Sequence, residues 1–388
     1  MIEHGFRFAP ASGAKMAMQD KQAPGLFLVA PDFIHGPADK GLPIHGRRLM
    51  PFAISRRTIL ASAGLLAASP ALAAAPSTAL RPVLDYLGEQ NTTGFLVVQR
   101  GETLVEKNWP LPADAGQFRA SFTYGTTKDG ALLEDVASQQ KSFVSMLVAI
   151  AIDKGLIDVD KPVAHYIGAG WSKASPEQEA AIRVIHLLTM ASGLDEKLAF
   201  VAPAGTRFFY NTPVYAETKR VVAAAAKLPL ETITRDWLTA PAGMVDTAWR
   251  QRPAAFASVG NATGLVTCPR DVARFGQIVL DGGKAADGKR IVSEASLKAM
   301  FVRSATNPAY GRLWWLNGGS ETIRATGRAT PGPPIPAAPA DTVAAFGALD
   351  RRLYVSTSRK LVVVRMGQAA ADQDFDQQLW LRLSKALG

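Results

Sequence analysis

Histidine and cysteine are scarce in this chain, and their scarcity removes whole classes of chemistry. Cys268 is the only cysteine among 388 residues, so no internal disulfide can form and CxxC metal or redox chemistry is excluded. Between Thr267 and Pro269 it reads as a small buried residue, not a nucleophile. Of five histidines, His4, His35 and His45 precede the segment that reads as the folded domain, which leaves His165 and His186. His186 stands at helix-like spacing before Leu187 and Leu188 and reads as structural. No HExxH and no GxSxG occurs, so zinc hydrolases and α/β-hydrolases lose their signatures. Basic residues outnumber acidic ones 43 to 33 but form no run or stripe, so the charge reads as solvated surface and no nucleic-acid partner is expected.

A long hydrophobic run is also missing. The one extended small-apolar stretch follows Ser55-Arg56-Arg57-Thr58-Ile59-Leu60 and is interrupted by Gly64 and Pro70, too short to span a membrane stably. It reads as a twin-arginine export signal with Ala71-Leu72-Ala73 as a small-x-small cleavage site. Three segments are therefore expected. Residues 1–49 are a disordered extension or precede the true start at Met50, residues 50–73 are the signal peptide, and residues 74–388 are one folded domain. The expected location is periplasmic or secreted, with no stable membrane span once the signal is removed.

Periodicity organises the domain. Phe95–Gln99 and Thr103–Lys107 are strand-like runs around Arg100-Gly101-Glu102, a hairpin. Arg352–Val355 and Leu361–Arg365 form a second, around Ser358-Arg359, followed by an amphipathic helix over 374–387. Between them the pattern is helical over 142–154, 178–190, 213–226, 269–281 and 293–301. The proline-rich stretch Thr330–Pro339 reads as an ordered loop or lid. The pattern predicts an α+β fold, with an antiparallel sheet from both chain ends, a helical lobe inserted, and an active site between the lobes.

The chemistry concentrates at Ser138-Gln139-Gln140-Lys141, ahead of the apolar run Ser142–Ile152. Residues three apart share a helix face, so Lys141 Nζ can reach the Ser138 hydroxyl. A dry lysine loses its proton readily and can take one from serine, while a helix N-terminus favours developing negative charge. The plainer reading is an N-capping serine with a solvated lysine. Ser12-Gly13-Ala14-Lys15 matches the same pattern, so four residues alone do not decide.

The run from about Phe95 to Gly367 resembles the serine β-lactamase and penicillin-binding-protein superfamily, in particular its branch of class C-like β-lactamases, esterases and 6-aminohexanoate-dimer hydrolases. The matching stretches are Ser138–Phe143, Val184–Leu194, Ala204–Asn211, Pro269–Gly276 and Tyr310–Trp315. The resemblance implies a β-lactamase/transpeptidase-like fold and an acyl-enzyme on Ser138, with Lys141 as partner amine and Tyr210 as the second-motif tyrosine. Tyr215 is the alternative to Tyr210. A phenol near an ammonium would have a lowered pKa and act as a base near neutral pH. Thr212 replaces the usual asparagine of that motif. The third motif aligns with Ala348-Leu349-Asp350, where the usual cation is missing and Arg351 or Arg352 could substitute. Main-chain N–H groups of Ser138 and Arg351 would form the oxyanion hole. Trp314 and Trp315 line an apolar pocket, or are plain core aromatics.

The expected function is an exported serine hydrolase cleaving a small-molecule ester or amide without metal or organic cofactor. The alternatives are a β-lactamase or D-amino-acid-specific peptidase, and a non-catalytic module that binds a cell-wall fragment or a protein.

Overall fold

A computed structural model describes residues 78–254 and 261–388. The expected signal peptide and the stretch before it lie outside these residues. Among the described residues no helix is long and apolar enough to cross a membrane.

Both expected hairpins form. β1 (Thr92–Gln99) turns into β2 (Glu102–Asn108). The short strands β3 (Thr123–Thr126), β4 (Leu132–Asp135), β5 (Ala248–Gln251) and β6 (Thr263–Thr267) follow. β7 (Trp315–Leu316), β8 (Glu321–Ile323), β9 (Ala329–Pro331), β10 (Val343–Gly347), β11 (Arg351–Ser356) and β12 (Leu361–Gly367) complete the set. The main sheet has the order β2-β1-β12-β11-β10-β7 and is antiparallel throughout. Within it β1 pairs with β12, so the two ends of the domain hold each other.

Helices cover both faces of this sheet. Arg81–Glu89 and Phe375–Leu387 pack together on one side, with Tyr86 stacked on Phe375 and Tyr354 of β11 edge-on to Trp380. Pro269–Leu280 lies on the other side, where a Cβ on Gly276 would fall 2.6 Å from Val362 Cγ1 and 2.8 Å from Leu353 Cδ1. Behind it runs Gln140–Asp153, buried from Gln140 through Ala151, with Phe143 stacked on Phe275 at 3.8 Å between centroids. An apolar surface all round requires cover on every side, and this helix is the core of the inserted lobe.

Two expectations change. The helix read over 178–190 is two short ones, Pro176–Ala180 and Val184–Leu188, because a capping box on Ser175 starts the first and the chain then extends at Arg183. A second sheet, β3-β4-β6-β5, was not expected. Its strands are short, and β4 ends in Glu134-Asp135, acidic residues that pattern as a turn but are buried. The proline-rich stretch is ordered as expected, though its start is β9. Asn317 pins the rest, its side chain donating to the carbonyls of Ile335, Ala338 and Pro339 and accepting from Ile335 N–H.

Gly276→Ala should destabilise the domain by about 1–3 kcal/mol, since the methyl must displace packed Val362 and Leu353. Urea unfolding followed by circular dichroism measures it, with an unchanged slope expected.

Candidate active site

The turn carrying Ser138 is held by charge. β4 delivers Glu134 and Asp135, and the chain then turns through Ala137–Gln139 into the Gln140–Asp153 helix. Ala137 sits at φ +49°, a left-handed conformation costly for a residue with a Cβ. Asp135 stabilises it: Oδ1 accepts from Ala137 N–H at 2.8 Å. The same carboxylate binds Arg252 through both oxygens, at 2.6 and 2.9 Å. Gly264 of β6 leaves room for it, since a Cβ there would fall 2.1 Å from Asp135 Oδ2. Asp135, Arg252 and Gly264 escaped the sequence reading. Their one signal was an acidic pair three to four residues ahead of the serine.

Ser138 is partly exposed, and its hydroxyl accepts from Lys141 Nζ at 2.9 Å. Lys141 is 2 % exposed and also reaches Thr212 Oγ1 at 3.3 Å. Its Nζ lies 4.8 Å from the ring centroids of both Tyr210 and Tyr215. Among the described residues no carboxylate pairs with it. Burial, with the nearby Arg252 and Lys219 charges, pushes its pKa down to about 7. The amine can therefore take a proton at neutral pH.

Tyr210 meets Ser138 from the other side. Burial raises its pKa to about 12, opposed by a hydrogen bond with the Ser138 side chain. This overturns the expectation of a phenolate base: Tyr210 keeps its proton, and Lys141 is the group poised to accept one. The cation expected to lower the phenol is itself a lysine held near neutrality. Tyr215 is fully buried near Lys141, its hydroxyl has no hydrogen-bond partner among the described residues, and burial raises its pKa well above 10. It supports the amine as a ring.

The second motif is built by a helix start. Asn211 caps Thr212–Ala226 by accepting from Val214 N–H and is tied to the Leu194 and Asp195 carbonyls. That leaves Thr212, first in the helix, aimed at Lys141. Phe208 and Tyr210, two apart on extended chain, both face Trp315, at 6.5 and 6.0 Å between centroids. Trp315 also stacks on Phe346 of β10, which makes an aromatic wall beside Tyr210. Trp314 points the other way, fully buried against Phe275 and Phe301, and is core.

The third-motif expectation moves along the chain. Ala348–Asp350 form the turn between β10 and β11, with Leu349 and Asp350 at positive φ and Ala348 exposed. The strand beside the serine turn is Ala345–Gly347. The Ala345 carbonyl accepts from Gln139 Nε2 at 3.5 Å, and a Cβ on Gly347 would strike Val136 O at 2.3 Å. β7 pairs only with Val343 and Ala344, so the edge of β10 beyond them carries no strand among the described residues. Arg351, expected to supply an oxyanion N–H, opens β11 opposite Gly347, one strand further from the turn.

Neither candidate substitute cation is free. Arg351 is fully buried, pairs with Glu134 at 3.3 Å and lies over Phe118 and Phe122. Arg352 binds Asp350 and Asp376 at 2.5 and 2.7 Å. Cys268 is buried at a helix start with its thiol pushed up to about 12, as expected of a structural residue. His186 Nδ1 accepts from Arg183 N–H, which agrees with its structural reading.

Residues 84–383 match the protein family described as Beta-lactamase. Solved structures share the fold at low identity. A family VIII carboxylesterase is 15% identical with a TM-score of 0.58, covering 82% of this chain and 99% of its own. A class C beta-lactamase is 17% identical with a TM-score of 0.59, covering 81% and 97%. A penicillin-binding protein homologue from Caulobacter crescentus is 16% identical with a TM-score of 0.56, covering 79% and 95%.

If Lys141 accepts the proton, kcat/KM for p-nitrophenyl butyrate should rise through an acid limb near pH 7 and show no Tyr210 limb below about pH 10. Lys141→Ala should remove that limb with the activity, and Tyr210→Phe should be severe but less complete. The double variant should be little worse than Lys141→Ala, because groups that share one proton path lose activity non-additively.

Proposed function

The chain belongs to the Beta-lactamase family, and from that membership we propose that it is an exported serine hydrolase cleaving neutral esters or amides through an acyl-enzyme on Ser138. The 2.9 Å contact between a buried, carboxylate-free lysine and a solvent-reachable serine carries this reading. An N-capping serine with a solvated lysine would leave the amine in water.

In this mechanism Ser138 Oγ adds to the carbonyl carbon as its proton passes to neutral Lys141. Main-chain N–H groups of Ser138 and of the open β10 edge hold the oxyanion. The carbon–oxygen or carbon–nitrogen bond then breaks. The leaving group takes the Tyr210 proton, which the phenol regains from the Lys141 ammonium. Water attacks the acyl-enzyme with Lys141 again as base, and Ser138 leaves with the returned proton.

The substrate class follows from charge. Ala345, Phe346 and Gly347 bring no cation to the strand beside Ser138, and Arg351 and Arg352 are committed to internal carboxylates. A substrate carboxylate would find no partner there, which favours neutral substrates over anionic β-lactams and D-amino-acid peptides. Trp315 and Phe346 offer an apolar wall. Export rests on the twin-arginine segment over 50–73.

Ser138→Ala should abolish fluorophosphonate labelling and ester hydrolysis while the fold survives, since a helix-start hydroxyl contributes only about 1 kcal/mol. A wild-type protein that neither labels nor hydrolyses would favour the binding module. Nitrocefin turnover should lie far below the general enzyme range of about 1–10³ per second; turnover within it would make the protein a β-lactamase. Changing both Arg56 and Arg57 to Lys should retain the protein in the cytoplasm on cell fractionation.

A further inference from the structure

We propose that Lys219 is a positioning residue for the Ser138–Lys141 pair, a second buried ammonium that shares the Tyr215 ring with Lys141 and adds its charge to burial and Arg252 in keeping the Lys141 amine ready to accept a proton. The proposal rests on the serine–lysine reading above and adds to it a residue outside the three motifs.

The geometry comes from one helix. Tyr215 and Lys219 are four apart on Thr212–Ala226 and so share a face. Lys141 Nζ stands 4.8 Å from the Tyr215 ring centroid and Lys219 Nζ 5.8 Å from the same point, so the two nitrogens lie within about 11 Å of each other. Lys219 is 9 % exposed. Both nitrogens lie near the same buried ring, where a charge is screened far less than in water.

The partners of the two lysines differ in kind. Lys219 donates to Asn261 Oδ1, to Thr263 Oγ1 at 2.9 Å and to the Thr263 carbonyl at 3.4 Å, and it faces the Trp249 ring at 5.0 Å. Three oxygen acceptors and a π-face suit a protonated amine. Lys141 meets two hydroxyls, Ser138 and Thr212, each of which can turn its hydrogen toward a neutral amine. The proton therefore has a better home on Lys219.

The charged groups around the pair point the same way. Lys141 is faced by Arg252 and Lys219, with the phenols of Tyr210 and Tyr215 uncharged; Lys219 is faced by Arg252 and Asp135. Arg252 is matched by Asp135 through a two-fold hydrogen-bonded ion pair. The hydrogen-bond partners of Lys219 are all neutral. Arg252 acts on Lys141 more strongly than Lys219 does, and the Lys219 charge adds to it, since like charges oppose each other's ionisation. Burial together with Arg252 also brings Lys219 down to about 8, partly countered by Asp135.

The test is the pH profile of kcat/KM for p-nitrophenyl butyrate. Without the Lys219 charge Lys141 should hold its proton to higher pH. The acid limb of Lys219→Met should move up by about half a unit to one unit, with activity at pH 6.5 down roughly 3–10-fold and the alkaline plateau unchanged. Lys219→Arg should keep the wild-type limb. Asn261→Asp, which places a carboxylate against the ammonium, should move the limb upward like Lys219→Met, and it decides the matter if Lys219→Met does not fold. An unmoved limb in a folded Lys219→Met protein, or a uniform loss at every pH that Lys219→Arg shares, overturns the proposal. If wild-type Ser138 does not react with a fluorophosphonate, the hydrolase reading has failed instead. NMR titration of the Lys141 13Cε signal in wild type and Lys219→Met then decides the inference alone: an upward shift in the variant supports it, and no shift overturns it.

Discussion

A lysine amine kept dry without a counter-ion is the constraint around which the rest of this protein is arranged. Lys141 is buried, surrounded by two tyrosine rings, two hydroxyls and two further cations, with no carboxylate among the described residues paired to it. In water such an amine is charged at neutral pH. Here desolvation and like charge both act against the proton. A carboxylate in contact would restore the ammonium and remove the basicity. Asp135, three residues before the serine, is instead bound by Arg252 and by the backbone of the serine turn.

That turn is expensive to maintain, and the structure meets the expense with two buried ion pairs. Asp135–Arg252 holds Ala137 in its left-handed conformation, while Glu134–Arg351 anchors β4 against the start of β11. Buried pairs of this kind contribute little net stability, because desolvation offsets most of the attraction. Breaking one leaves an unpaired charge in the interior, so the arrangement tolerates few alternatives. Geometry is the return: a serine fixed between an amine and a phenol, at the seam where the second sheet meets the main one.

The same commitment of charge shapes what the cleft can bind. Arg351 and Arg352 sit where a substrate-binding cation would be sought, yet both face inward to carboxylates of the fold. Near the serine lie instead the bare edge of β10 and the half-buried Tyr210 and Phe346, both backed by the buried Trp315 ring.

Much of this was legible in the linear chain. The period-two runs at each end determined two hairpins, and their pairing into one sheet follows from the need to cover both. The apolar run after Lys141 determined a buried helix, and the three-residue spacing placed the amine on Ser138. Other features depended on contacts that no spacing encodes. Trp314 and Trp315 are neighbours in sequence, yet alternation along the chain sends one into the core and the other to the site. The third-motif strand is Ala345–Gly347 and not 348–350, because the turn's positive-φ residues fix where β10 ends. Glu134 and Asp135 are buried beside arginines distant in sequence, Arg351 and Arg252, and no local spacing shows those partners. Burial raises the Tyr210 pKa and lowers that of Lys141, because in each case it disfavours the charged form. Sequence supplied the groups and their local order, while burial, a property of the whole fold, decided which of them carries the proton.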